Sequence, residues 1–183
     1  MKFCSFLLIL YSFCLVTVVT AQEAPPPATA IMQEAYQKAA KDHKNVFVLF
    51  TASWCRQCHK MDSAMNNPAC RKLFTDNYVI CHLTVFESKD EIGLENPGAV
   101  DLMKQYHGDK RNIPFWLIFD STGVLLADSQ VRPVGVGLDV AGVNIGCPTK
   151  KEEVSFFLKE LKKTSTLTPD SLAVIAKVFS HLK

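Results

Sequence analysis

The run Val46-Phe47-Val48-Leu49-Phe50 constrains the fold more than any other part of the 183-residue sequence. Five consecutive apolar, β-prone residues leave no face for water, so a strand here is covered on both sides, as in the middle of a parallel or mixed sheet between helices. The flanking patterns agree with an α/β architecture. Residues 30–43 place Ile31, Ala35, Tyr36, Ala39 and Ala40 at helical spacing behind Thr29 as N-cap. After the strand, a helix is predicted from Cys55, paused at Asn66-Asn67-Pro68 because proline disfavours the α conformation in the residue before it, and resumed over residues 69–76.

Residues 78–85 read as a second central strand, followed by a polar loop to Gly98 and a short helix over residues 99–106. Residues 115–119, the turn Asp120-Ser121-Thr122-Gly123 and residues 124–127 form an antiparallel hairpin that makes the sheet mixed. The Gly- and Val-rich residues 129–148 exceed ordinary connection lengths and read as a partner-facing loop, with room for an extra strand pair. Thr149-Lys150-Lys151-Glu152 reads as a capping box for a helix reaching Lys163. Thr168-Pro169 opens a last helix with Leu172, Ile175, Ala176 and Phe179 on its packing face.

The first 21 residues carry Lys2, an apolar stretch from Phe3 to Val19, and Val19-Thr20-Ala21 with small residues suited to signal peptidase. Residues 1–21 are therefore read as a signal peptide, residues 22–28 as a Pro-rich spacer and residues 29–183 as one domain, with an uncleaved N-terminal anchor as the alternative. The expected location is periplasmic or secreted. With 20 basic and 18 acidic side chains and no polybasic run, neither nucleic acid nor, once the leader is gone, a membrane surface is an expected partner.

The chemistry falls on Trp54-Cys55-Arg56-Gln57-Cys58, set between the buried strand and a helix. Two cysteines three apart at a helix start can close a disulfide, and the free N–H groups there stabilise a thiolate on the first. Cys55 is the candidate nucleophile, Cys58 the inner resolving thiol, and Arg56 a positive charge that favours the thiolate. A zinc ribbon would need a second CxxC or paired histidines, and Cys70, Cys81 and Cys147 stand isolated, so no metal is assigned. Cys55-Arg56-Gln57-Cys58-His59 also spells a c-type haem attachment motif, but its place between strand and helix in a chain with further strands argues against a haem protein.

Two separated segments, Ala52-Ser53-Trp54-Cys55-Arg56-Gln57-Cys58 and Asn112-Ile113-Pro114-Phe115-Trp116-Leu117-Ile118-Phe119-Asp120 with Gly123, resemble the thioredoxin superfamily. Lys60-Met61 and residues 67–74 look like its exported branch, which includes the C-terminal domain of the transmembrane thiol:disulfide interchange reductase. The resemblance implies a thioredoxin fold, a mixed central sheet flanked by helices, here with an extra C-terminal helix. It implies a thiol:disulfide oxidoreductase without cofactor, exchanging with protein thiols and disulfides and served by an upstream membrane or soluble electron donor. In the family the proline matching Pro114 is cis and faces the disulfide, so Trp54, Ile113 and Pro114 become candidate substrate-binding residues, and Ile113 points to reduction.

Arg56 and Gln57 replace the Gly-Pro of reducing thioredoxins and are the candidate tuning pair, which leaves redox direction open. The family's buried aspartate before the motif is matched by Leu49, and Glu87 and His59 are read chiefly as solvated surface residues rather than substitutes. Cys81 reads as an inert buried thiol, whereas Cys147, behind Gly146, reads as a third redox partner or as a structural bridge to Cys70 or Cys81. A non-catalytic binding module on the same fold is the other reading kept open.

Overall fold

The computed structural model describes residues 24–108 and 112–182. Residues 1–21, read above as a signal peptide, lie outside these residues. The described elements are α1 (Ala28–Asp42), β1 (Asn45–Thr51), α2 (Arg56–Met65), α3 (Arg71–Asn77), β2 (Tyr78–Thr84), a 3-10 helix (Lys89–Leu94) and α4 (Ala99–Gln105). They continue with β3 (Phe115–Phe119), β4 (Leu125–Asp128), β5 (Gln130–Val131), β6 (Val143–Asn144), α5 (Lys151–Lys163) and α6 (Pro169–Ser180).

The main sheet has the order β2-β1-β3-β4. β2 runs parallel to β1, while β3 is antiparallel to both β1 and β4. Alternation along the strands divides the core into two layers. Phe47, Leu49, Trp116 and Ile118 face α2, α3, α5 and α6, where Met61, Phe74, Phe157 and Phe179 close over them. Val46, Val48, Phe50, Leu117 and Phe119 face the other way, against Met32, Ala35 and Ala39 of α1 and Met103 of α4. Each such fully buried side chain contributes about 1.5–3 kcal/mol of transfer free energy, which explains why a strand without a polar face folds only in the middle of three layers.

Several boundaries differ from the sequence reading. α1 begins at Ala28, with Pro27 rather than Thr29 as its N-cap residue, because the Ala28 N–H is already taken by the Pro97 carbonyl at 2.8 Å. Asn96 completes this tie: its amide donates to the Pro26 carbonyl at 2.9 Å and accepts from Thr84 N–H at 2.7 Å. At α5 the cap is displaced by one residue from the predicted box. Lys150 is the N-cap, and Glu153, not Glu152, accepts from the backbone N–H groups of Lys150 and Thr149 at 3.0 and 3.1 Å. The helix after Pro68 starts at Arg71 rather than at residue 69.

The long connection after β4 is ordered by one buried ion pair. Arg132 meets Asp128 in a bidentate contact, at 2.8 and 2.6 Å, with side chains 5% and 1% exposed. The same guanidinium donates to the carbonyls of Gln130 and Val140. Gln130 donates to the Tyr106 carbonyl and accepts from Gly142 N–H. These bonds fold the connection back as the two-stranded β5-β6 pair, with Val131 antiparallel to Val143.

Candidate functional site

β1 delivers the chain to the motif. Past Thr51, Cys55 N–H bonds the Ala52 carbonyl at 3.0 Å and Cys55 becomes the N-cap of α2. Its sulfur accepts the N–H of Cys58 at 3.1 Å, which is the place an N-cap oxygen takes in other helices. Cys55 and Cys58 are joined by a disulfide with Cα atoms 5.3 Å apart. Arg56 and Gln57 lie exposed on the first turn of α2.

In this oxidised state Cys55 is 3% and Cys58 1% exposed, less than expected for the outer sulfur. The reason is the loop before β3. Ile113 packs against Ala52, Cys55 and Cys58, and its carbonyl oxygen lies 3.7 Å from Cys55 Sγ. The Ile113–Pro114 peptide is cis. Asn144 of β6 holds this loop by donating to the Asn112 carbonyl at 2.6 Å and the Pro114 carbonyl at 3.1 Å, while accepting from Gly146 N–H at 3.0 Å. Gly146 has a φ of 61°, the left-handed conformation that favours glycine, and lies in ordinary van der Waals reach of Pro114.

Trp54 stands at the surface, 53% exposed, with its indole N–H donating to the Phe86 carbonyl at 2.9 Å. His59 places Nε2 2.7 Å from the Ser53 carbonyl. Glu87 corrects the surface reading: it is 6% exposed and accepts from both the N–H and the hydroxyl of Ser53, each at 2.6 Å. Leu49 is fully buried in β1 and puts no carboxylate behind the pair.

Cys70, Cys81 and Cys147 are all free thiols, so neither structural bridge considered for Cys147 is formed. Cys81 is half-buried rather than fully buried as expected, and desolvation pushes its thiol up to about 12. Burial pushes Cys147 up to about 11, with Lys60 pulling it down and Glu153 pushing it further up. Cys147 follows Gly146 and so sits close in sequence to the Pro114 contact, buried with Met61 and Trp116. Among the described residues, no group of three or more His, Cys, Asp or Glu side chains is placed to hold a metal ion.

Asn144 and Asn96 escaped the sequence reading, which placed Glu87 chiefly on the solvated surface. Glu87 alone had a usable signal: parallel neighbours β1 and β2 end together, so the residues that follow them must meet.

A mixed sheet that presents a CxxC disulfide at a helix N-terminus, opposite an X-Pro loop, defines a thiol:disulfide oxidoreductase. The chain belongs to the thioredoxin-like family, whose profile matches residues 28–121, from the start of α1 to just past β3. It is similar in structure to a disulphide isomerase from Xylella fastidiosa Temecula1, at 18% identity over 59% of this chain and 80% of that one, TM-score 0.45. It is likewise similar to a DsbH oxidoreductase, at 20% identity over 78% of this chain and 86% of that one, TM-score 0.43. The oxidised C-terminal domain of Neisseria meningitidis DsbD aligns at 18% identity over 75% of this chain and 99% of that one, TM-score 0.41. No curated protein matches the sequence.

Proposed function

We propose that this protein is an exported reductase of protein disulfides, with residues 1–21 as its removable leader and residues 29–183 as the working domain. The observation that carries the reading is the Cys55 sulfur at the N-cap of α2, accepting Cys58 N–H at 3.1 Å. The same donor and the helix dipole stabilise a thiolate once the disulfide is opened. No helix among the described residues is long and apolar enough to cross a membrane.

The Cys55 thiolate attacks one sulfur of a client disulfide, forming a mixed disulfide and releasing the other client sulfur as a thiolate. Cys58, deprotonated, attacks Cys55 Sγ, releases the second client thiolate and regenerates the Cys55–Cys58 disulfide. Two electrons pass to the client, and an upstream dithiol donor returns them. Trp54 and the Ile113-Pro114 loop flank the path of an extended client, and Arg56 and Gln57 tune the pair from the first turn of α2.

Trapping tests the roles. Cys58→Ser should accumulate mixed disulfides with clients on non-reducing gels after acid quench, and Cys55→Ser should not. Equal trapping by both, or trapping by Cys55→Ser alone, refutes the assignment. Direction is settled by insulin reduction together with the potential of the pair: a value near that of strong protein oxidants, about −120 mV, would make the protein an oxidant instead.

A further inference from the structure

The turn after β2 grips the motif. Because β1 and β2 are adjacent and parallel, residues 52–54 and 85–87 leave the sheet side by side. Phe86 has a φ of 57°, a left-handed conformation that costs a bulky residue and persists only where its surroundings demand it. Its carbonyl takes the Trp54 indole N–H, and the next residue, Glu87, takes both donors of Ser53. Glu87 N–H in turn donates to Glu95 at 2.8 Å, and the Ser53 hydroxyl lies 3.2 Å from Glu91. From α2, His59 holds the Ser53 carbonyl. The polar groups of Ser53 are thus all engaged, two residues before Cys55. Among the described residues, the ion pairs include none of Glu87, Glu91 and Glu95.

We propose that Glu87 is a positioning residue for the Cys55/Cys58 pair, fixing Ser53 so that Cys55 stays on the N-cap of α2 while its buried charge weighs against the Cys55 thiolate and keeps the pair reducing. This rests on the redox reading above and supplies a cause for its direction. The α2 N-terminus and Arg56 favour the thiolate. Among the described residues only the neutral donors of Ser53 bond the Glu87 oxygens, and the Glu87 charge, held on the residue two before Cys55, opposes that helix end and Arg56. Whatever destabilises the thiolate destabilises the dithiol state, which lowers the potential and strengthens the reductant. The sequence reading favoured a solvated role for Glu87, because a Glu after a strand is ordinarily solvated.

The test is the equilibrium of the purified protein's own pair with glutathione redox buffers, read by acid quench and thiol labelling. Glu87→Gln keeps the shape and an acceptor but loses the charge. It should shift the equilibrium about tenfold toward the dithiol, about 30 mV. Glu87→Asp, which keeps the charge, should stay within about threefold of wild type. Ser53→Ala removes a donor that dampens the charge and should shift the pair about two- to threefold the opposite way, toward the disulfide. Asp170→Asn, an exposed neutralisation on α6, should change nothing. A Glu87→Gln equilibrium within twofold of wild type, or an equal shift in Asp170→Asn, overturns the proposal. A wild-type pair that never equilibrates with glutathione overturns the redox reading itself, and this inference with it.

Discussion

Replacing Arg132 with Met removes one half of an ion pair that is out of water. Asp128, 1% exposed, would then keep only the backbone N–H and side-chain amide of Gln130, at 2.9 and 3.2 Å, against a full negative charge. Leaving one buried partner uncompensated costs about 3–5 kcal/mol, and the remaining Gln130 bonds put this case at the lower end, about 3 kcal/mol. At about 2–4 °C per kcal/mol for a domain of this size, Tm should fall by roughly 6–12 °C, and the urea midpoint by about 1.5 M for a slope near 2 kcal/mol/M. Asp128→Asn/Arg132→Met, which removes both charges, should recover most of the loss, because the penalty lies in the orphaned carboxylate. The same single variant frees residues 132–142 from the Val140 and Gln130 carbonyl contacts and loosens the frame that carries Asn144. Client reduction should therefore slow severalfold with the Cys55/Cys58 potential unchanged, and proteolysis should nick the loop first. A single-variant cost under about 1 kcal/mol, or a double variant no better than the single, would refute the reasoning.

At α5, Glu153→Gln should cost about 1 kcal/mol by urea titration, while Glu152→Gln costs only a few tenths, because only Glu153 carries the cap. Burial works to raise the Glu153 carboxyl, but the N–H bonds of Lys150 and Thr149 outweigh it and hold it below the usual range. The folded carboxyl is thus the stronger acid, so its contribution is complete above about pH 4.3–4.5 and is lost as pH falls through the folded value; Glu153→Gln should flatten that part of the acid limb. In the reduced protein at pH 8, iodoacetamide should modify Cys55 first, and mass spectrometry should find Cys81 and Cys147 unmodified until denaturant is added. Cys147 loses its proton more readily unfolded than folded, so stability should fall between about pH 9 and pH 11, and Cys147→Ala should lessen that slope.

The three-layer architecture was legible because it follows from continuous apolar runs, and Val46 to Phe50 has no other way to bury both faces. The motif was legible for a similar reason, since Cys55 and Cys58 have chemistry that few local contexts can use. What escaped was decided by contacts between distant segments. Thr29 looked like a cap until Pro97 supplied the carbonyl that fixes Ala28. Glu152 and Glu153 are indistinguishable as letters, and only the register of the chain leaving Cys147 selects the second. Glu87 is the sharpest case: nothing local marks it as buried, and its surroundings exist only once the ends of β1 and β2 are side by side.

The Asn96 tie also fixes where the chain enters the domain. Pro26 and Ala28 are fastened to the Asn96–Pro97 turn, which bonds Thr84, the β2 residue that pairs with Thr51 at the end of β1. Cys55 follows that same end by four residues. Pro26 is therefore held at the same end of the sheet as Cys55, the end that meets clients in the proposed function. A bulky N-terminal fusion would compete with them for space. In a copy tethered through its N-terminus, the disulfide stays near the anchoring point, and each extended residue inserted ahead of Pro25 would lengthen its reach by about 3 Å without altering a single contact in the site.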